Sequence, residues 1–181
     1  MTTQKLKIIL VIILLSTTLA GLGQQSNARD VLISFADTVT NESGYKDLAG
    51  DIVIPLGKYS FCFTDTFRTY AIVAIPQKGF VAINRQEKIL YEVFPFDNGP
   101  DYPSDGLFRI IIENKIGYAD ASTGKIVINP QFACAWPFEH RVAKVSIDCK
   151  KQSVGEHSTW LSNSWYYINK AGEKVTPPKA K

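Results

Sequence analysis

Gly117-Tyr118-Ala119-Asp120-Ala121-Ser122-Thr123-Gly124-Lys125-Ile126-Val127-Ile128-Asn129-Pro130 is the stretch whose reading decides the fold. A glycine-aromatic pair leads into a turn that opens with Asp and closes with Gly, and a β-branched run ending at proline leads out. An Asp or Asn side chain can hydrogen-bond the backbone two residues on, and glycine supplies the positive φ that folds a second strand back. Proline removes a ladder donor, so it is expected to end that strand. The stretch reads as a β-hairpin.

The pattern recurs at Asp47-Leu48-Ala49-Gly50, Asn84-Arg85-Gln86-Glu87 and Asn169-Lys170-Ala171-Gly172, so that successive turns start 37, 36 and 49 residues apart. Gly44-Tyr45, Ala82-Ile83 and Tyr167-Ile168 precede these turns, and Ile52-Val53-Ile54-Pro55, Ile89-Leu90-Tyr91 and Val175-Thr176-Pro177 follow them. Past the hairpin, Val93-Phe94-Pro95-Phe96 matches Ala135-Trp136-Pro137-Phe138. A third strand comes next, as Ala71-Ile72-Val73, Leu107-Phe108-Arg109-Ile110 and Val142-Ala143-Lys144-Val145, the last two with a basic residue on one face. A unit this small cannot bury its own apolar face, so neighbouring copies must share a core. Apolar residues come in short runs without long helical periodicity, and the 12% aromatic content suits β packing. The expected class is all-β, with about four hairpin units sharing one core.

The units resemble the WG repeat, which reads approximately Trp-Gly-Phe-Ile-Asp, a short turn, Gly-Lys, an aliphatic run, Pro-Pro, an aromatic, then Pro-Phe and a small-residue strand. Trp165 to Pro178 is similar to the first half of that unit, and Gly117 to Val145 to a longer part of it. The resemblance spans about residues 44 to 178. The Trp-Gly pair is intact nowhere, Glu87 replaces a turn glycine, and Gln152 to Ser164 is an insertion. The resemblance implies a bacterial surface or extracytoplasmic repeat protein that mediates interactions, and it brings no catalytic residues.

The N-terminus agrees with export. Lys5 and Lys7 precede the apolar run Ile8 to Leu15, then small and polar residues to Gln25, the outline of a secretory signal peptide. Cleavage is expected after Gly23, with Ala20 and Ala28 as the other small-residue cuts. The run is far shorter than the roughly 20 residues of a spanning helix. No cysteine near the cut offers a lipid acceptor. The domains are then a signal peptide (1–23), an N-terminal cap segment (24–43), the WG-like repeat domain (44–178) and a tail (179–181). Cleavage leaves 18 basic and 17 acidic residues, a net charge of +1. That charge carries no footprint for nucleic acid or an anionic membrane. The expected location is periplasmic or secreted, with no membrane insertion after cleavage.

An oxidising compartment allows Cys134 and Cys149 to pair, since Cys149 continues the inward alternation of Ala143, Val145 and Ile147. Three buried thiols are the other reading. Cys62 falls where the third unit has Ala135, a small core position. Cys134, His140, Cys149 and His157 match no usual zinc spacing, and neither histidine has a nucleophile signature beside it. Asp97, Asp101 and Asp105 lie in a Gly- and Pro-rich loop without the ligand spacing of an EF-hand, so turn formation explains them as well as a cation does. No metal and no cofactor is expected. The insertion carries His157 and Trp160, and loops grafted on a rigid scaffold commonly carry function. Trp160, His157, Asp97, Asp101 and Asp105 are therefore the candidate binding surface. The expected activity is non-catalytic binding of a protein or envelope component, with a small exported hydrolase as the alternative.

Overall fold

The computed structural model describes residues 30–154 and 157–176. The segment expected to be a signal peptide, with its expected cuts, and the tail 179–181 lie outside the described residues. The chain is nearly all β and its sheets are antiparallel. Its strands run β1 (Leu32–Ala36), β2 (Ser43–Asp47), β3 (Ile52–Tyr59), β4 (Phe61–Cys62), β5 (Thr66–Phe67), β6 (Tyr70–Ile75), β7 (Gly79–Asn84), β8 (Ile89–Val93), β9 (Pro95–Phe96) and β10 (Gly99–Pro100). They continue as β11 (Leu107–Ile112), β12 (Lys115–Asp120), β13 (Ile126–Phe132), β14 (Cys134–Ala135), β15 (Val142–Ser146), β16 (Lys150–Val154), β17 (His157–Leu161), β18 (Tyr166–Asn169) and β19 (Lys174–Val175). Three sheets have the orders β3-β2-β1-β5, β13-β12-β11-β8-β7-β6-β4 and β14-β15-β18-β19, while β9–β10 and β16–β17 form two-stranded ribbons. The segment before residue 44 supplies β1, which pairs with β2 on one side and β5 on the other.

The Asp and Asn turns join β2 to β3, β7 to β8, β12 to β13 and β18 to β19. Asp47 Oδ1 accepts from the N–H groups of Ala49 and Asp51 at 2.9 and 3.0 Å. Asn84 Oδ1 accepts from Gln86 and Lys88 at 3.0 and 2.9 Å, and Asn169 Oδ1 from Ala171 and Glu173, both at 3.0 Å. Asp120, opening the longer turn, accepts from the N–H and hydroxyl groups of Ser122 and Thr123. The closing residue has positive φ in each case: 95° at Gly50, 59° at Glu87, 71° at Gly124 and 81° at Gly172. Only at Glu87 does a side chain bear that strain. Its carboxylate accepts from the Tyr59 hydroxyl at 2.7 Å and Lys58 Nζ at 2.8 Å. Burial raises the Glu87 pKa, but these hydrogen bonds outweigh it and hold the group below its ordinary value.

The later turns dock on the return strand of the preceding hairpin. Glu87 meets Tyr59 of β3, and the Gly124 carbonyl accepts from the Tyr91 hydroxyl of β8 at 2.6 Å. Gly172 lies over Ile128 of β13, where an added Cβ would stand 3.6 Å from its Cγ2. Buried side chains accordingly gather in three clusters along the chain. Tyr45, Ile54, Phe67, Val73 and Ile83 dominate the first, Tyr91, Phe108 and Ile110 the second, and Tyr118, Ile128, Phe132, Val145 and Ile168 the third. Cys62 is buried opposite Val73, as Ala135 is buried opposite Val145, which is the small core position the sequence assigns it.

At the two described return strands that carry it, proline does not end the strand. Pro55 and Pro130 lie inside β3 and β13, where the register against β2 and β12 shifts. A bulge there asks for no ladder donor, so proline is tolerated. The bulged strand presses on the glycine opposite it. A Cβ at Gly44 would meet the Ile54 carbonyl oxygen at 2.5 Å, and one at Gly117 the Ile128 carbonyl oxygen at 2.5 Å and Pro130 N at 2.6 Å. Gly117→Ala is expected to cost about 1–3 kcal/mol, as overpacking against backbone does. Gly99→Ala, with nothing within 4 Å, is the control. Urea midpoints that fall together for the two variants would refute the close approach.

Candidate functional site

The outer face of the β15–β18 pair forms the floor of an open groove of about 480 Å³. Lys144 and Tyr167 stand directly opposite each other there, and cross-strand partners share a face. Trp136, Glu139 and His140 come from the link between β14 and β15, and Tyr102 from the loop between β10 and β11. Tyr102 is 61% exposed and Trp136 46%, so two large rings face solvent at the walls of the groove. The link turns at His140 and Arg141, both at positive φ (51° and 69°). Glu139 and Val142 pair across that turn, the geometry of a tight hairpin made without glycine. His140 is thus a turn residue and an exposed one.

A buried ion pair ties the walls together. Asp101, next to Tyr102, accepts from Arg109 N at 2.8 Å and Nε at 3.0 Å through Oδ2, and from Nη2 through Oδ1. The guanidinium also donates to the carbonyl of Ala135, next to Trp136, at 3.2 Å. Its carbon lies 4.1 Å from the centre of the Phe94 ring. Tyr118 donates its hydroxyl to the Trp136 carbonyl at 2.7 Å, and burial pushes the Tyr118 pKa far up, so the donor stays protonated. Ser104 Oγ donates to the Phe138 carbonyl, bridging the same two segments. Edge-on contacts then seat the rings, Trp136 against Trp160 at 5.8 Å and Tyr102 against Phe96 at 5.3 Å.

The candidate residues read from sequence scatter around this groove. Asp101 is a correction: it is buried at 4% exposure, because its carboxylate neutralises Arg109, and it offers no surface. Arg109 is likewise buried. Asp97 is exposed at the β9–β10 turn, and Asp105 sits in a separate turn where its carboxylate accepts from Arg141 N at 2.6 Å. The three carboxylates thus have three separate tasks. Among the described residues no three His, Cys, Asp or Glu side chains converge as metal ligands.

The insertion is a hairpin rather than an irregular loop. β16 and β17 pair from Lys150↔Leu161 to Val154↔His157, growing from the connection between β15 and β18. Cys134 and Cys149 are bridged, with Cα atoms 5.9 Å apart, at the base of this hairpin. Beside the bridge, hydroxyls of Ser162, Ser146 and Ser164 hold the Asp148 carboxyl below its ordinary pKa. Trp160 is half-buried, turned back onto Phe94 and Trp136, so it braces the Trp136 ring from the side. His157 lies on β17, and its side chain is outside the described residues. Tyr102, Trp136, Lys144 and Tyr167 were not legible as a site, because three separate segments supply them. The Trp-Pro-Phe link was the one local signal. The chain matches no family model, no curated protein and no solved structure.

Proposed function

We propose that the protein is an exported, non-catalytic repeat protein of the WG type, which binds a protein or envelope component through the groove between Tyr102 and Trp136. Four hairpin units, each turn after the first docked on the unit before it, supply the rigid frame. The shared Asx hydrogen bonds at Asp47, Asn84 and Asn169 and the matched glycines Gly44 and Gly117 support that repeat reading. The observation that carries the binding role is the pair of exposed, pre-seated rings at the groove walls. Aromatic side chains give contact area at small entropic cost, and rings already held in place lose little more on binding.

The test is capture from the producing cell's envelope and medium on the immobilised, disulfide-intact protein, read by mass spectrometry. At least one component is expected on the wild type and to disappear from the Trp136→Ala/Tyr102→Ala double variant. An identical retained set from the two proteins would sink the proposal.

A further inference from the structure

The groove's unpaired polar groups identify the chemistry of what it holds, a step that rests on the groove being the binding site. We propose that it takes an uncharged oligosaccharide, with sugar rings against Tyr102, Trp136 and Tyr167 and hydroxyls bonded to Glu139, His140 and Lys144.

Among the described residues, the Tyr102 and Tyr167 hydroxyls, the Glu139 carboxylate and the His140 imidazole have no protein hydrogen-bond partner. Lys144 Nζ lies 4.9 Å from the centre of the Trp165 ring and makes no ion pair. The groove therefore presents an acceptor-only carboxylate, a donor-only ammonium and groups that do both, interleaved with aromatic rings. A hydroxyl both donates and accepts, so one polyhydroxylated chain can satisfy all of them. Its C–H groups meanwhile suit the electron-rich faces of the rings. Glu139 and Lys144 offset each other in charge, which favours an uncharged ligand.

Other occupants fit less well. An extended peptide recognised by strand addition needs a free edge. Here β15 is paired on both sides by β14 and β18, and β18 by β15 and β19. An amphipathic helix needs an apolar floor, and Lys144 stands in the middle of this one. A proline-rich segment suits aromatic grooves, but proline has no N–H, so such a segment would leave the Glu139 carboxylate unpaired. Anionic chains meet that same carboxylate.

The purified, disulfide-intact protein is titrated with the β-linked hexasaccharides of glucose and of N-acetylglucosamine, with the α-linked glucose hexasaccharide, and with a decaproline peptide. Tryptophan fluorescence and calorimetry supply the readouts. Saturable binding of at least one hexasaccharide is expected, with none for decaproline. Trp136→Ala and Tyr102→Ala should each weaken it ~10-fold or more, as loss of an aromatic anchor does. Glu139→Gln, which keeps an acceptor but loses the charge, should weaken it several-fold. Tyr102 is exposed and makes no hydrogen bond, so its variant carries the test should Trp136→Ala fail to fold. The proposal is overturned if no hexasaccharide binds, if the variants bind like wild type, or if decaproline binds instead. Should the sugars fail while capture of an envelope component still depends on Trp136, the binding role stands and only the ligand class falls.

Discussion

Arg109→Met is expected to destabilise the protein by about 3–5 kcal/mol, because it strands the Asp101 carboxylate in a buried site. Both side chains are only 3% exposed, so water cannot replace the lost partner. Asp101→Asn should cost less than Arg109→Met. The new amide can still accept from the Arg109 backbone N–H, which the carboxylate now accepts at 2.8 Å, although the guanidinium loses its counter-charge. The double variant should recover much of the loss, since removing both charges ends the desolvation penalty that either alone would suffer. Urea unfolding of the four proteins measures the coupling. Single variants within 1 kcal/mol of wild type, or a double variant equal to the sum of the singles, would show that the pair is not what clamps Tyr102 to Trp136.

The features that sequence made legible are those settled within a few residues. The Asx turns at Asp47, Asn84, Asp120 and Asn169 close their hydrogen bonds within five residues, so residue type and spacing suffice. The all-β class and the small core position of Cys62 follow from the same local periodicity. What sequence misplaced depends on a partner strand. Pro55 and Pro130 were expected to stop their strands, and only the bulge facing Gly44 and Gly117 explains why they do not. Asp101 sits among turn residues and looks solvated, and its burial is decided by Arg109 eight residues on and by the Ala135 carbonyl beyond. The groove is the least local feature of all. Tyr102, Trp136 and Tyr167 come together only after strand order is fixed, and Trp160, singled out as an exposed anchor, supports the groove from the side.

Removing the bridge with Cys134→Ser/Cys149→Ser is expected to lower stability by about 3 kcal/mol, the loop-closure value for the 15 residues it spans. The effect should concentrate in the hairpin β16–β17. That hairpin has no ladder partner outside itself, so the bridge at its base, the serine hydroxyls on Asp148 beside it and the packing of Trp160 on Phe94 and Trp136 hold it. Two isolated strands are marginal in water, and without the covalent tie the hairpin amides should exchange faster than those of β6, β7 and β12. Reducing the wild type with dithiothreitol should reproduce the midpoint of the double variant and leave that variant unchanged. Cys62 does not confuse the comparison. Burial pushes its pKa up and keeps it a protonated thiol, a poor nucleophile for exchange with the bridge. Oxidised and reduced proteins with the same urea midpoint would mean that β16–β17 is held by Trp160 and the Asp148 hydrogen bonds without help from the bridge. Trp160→Ala should then release the hairpin in the oxidised protein, which hydrogen exchange would show directly.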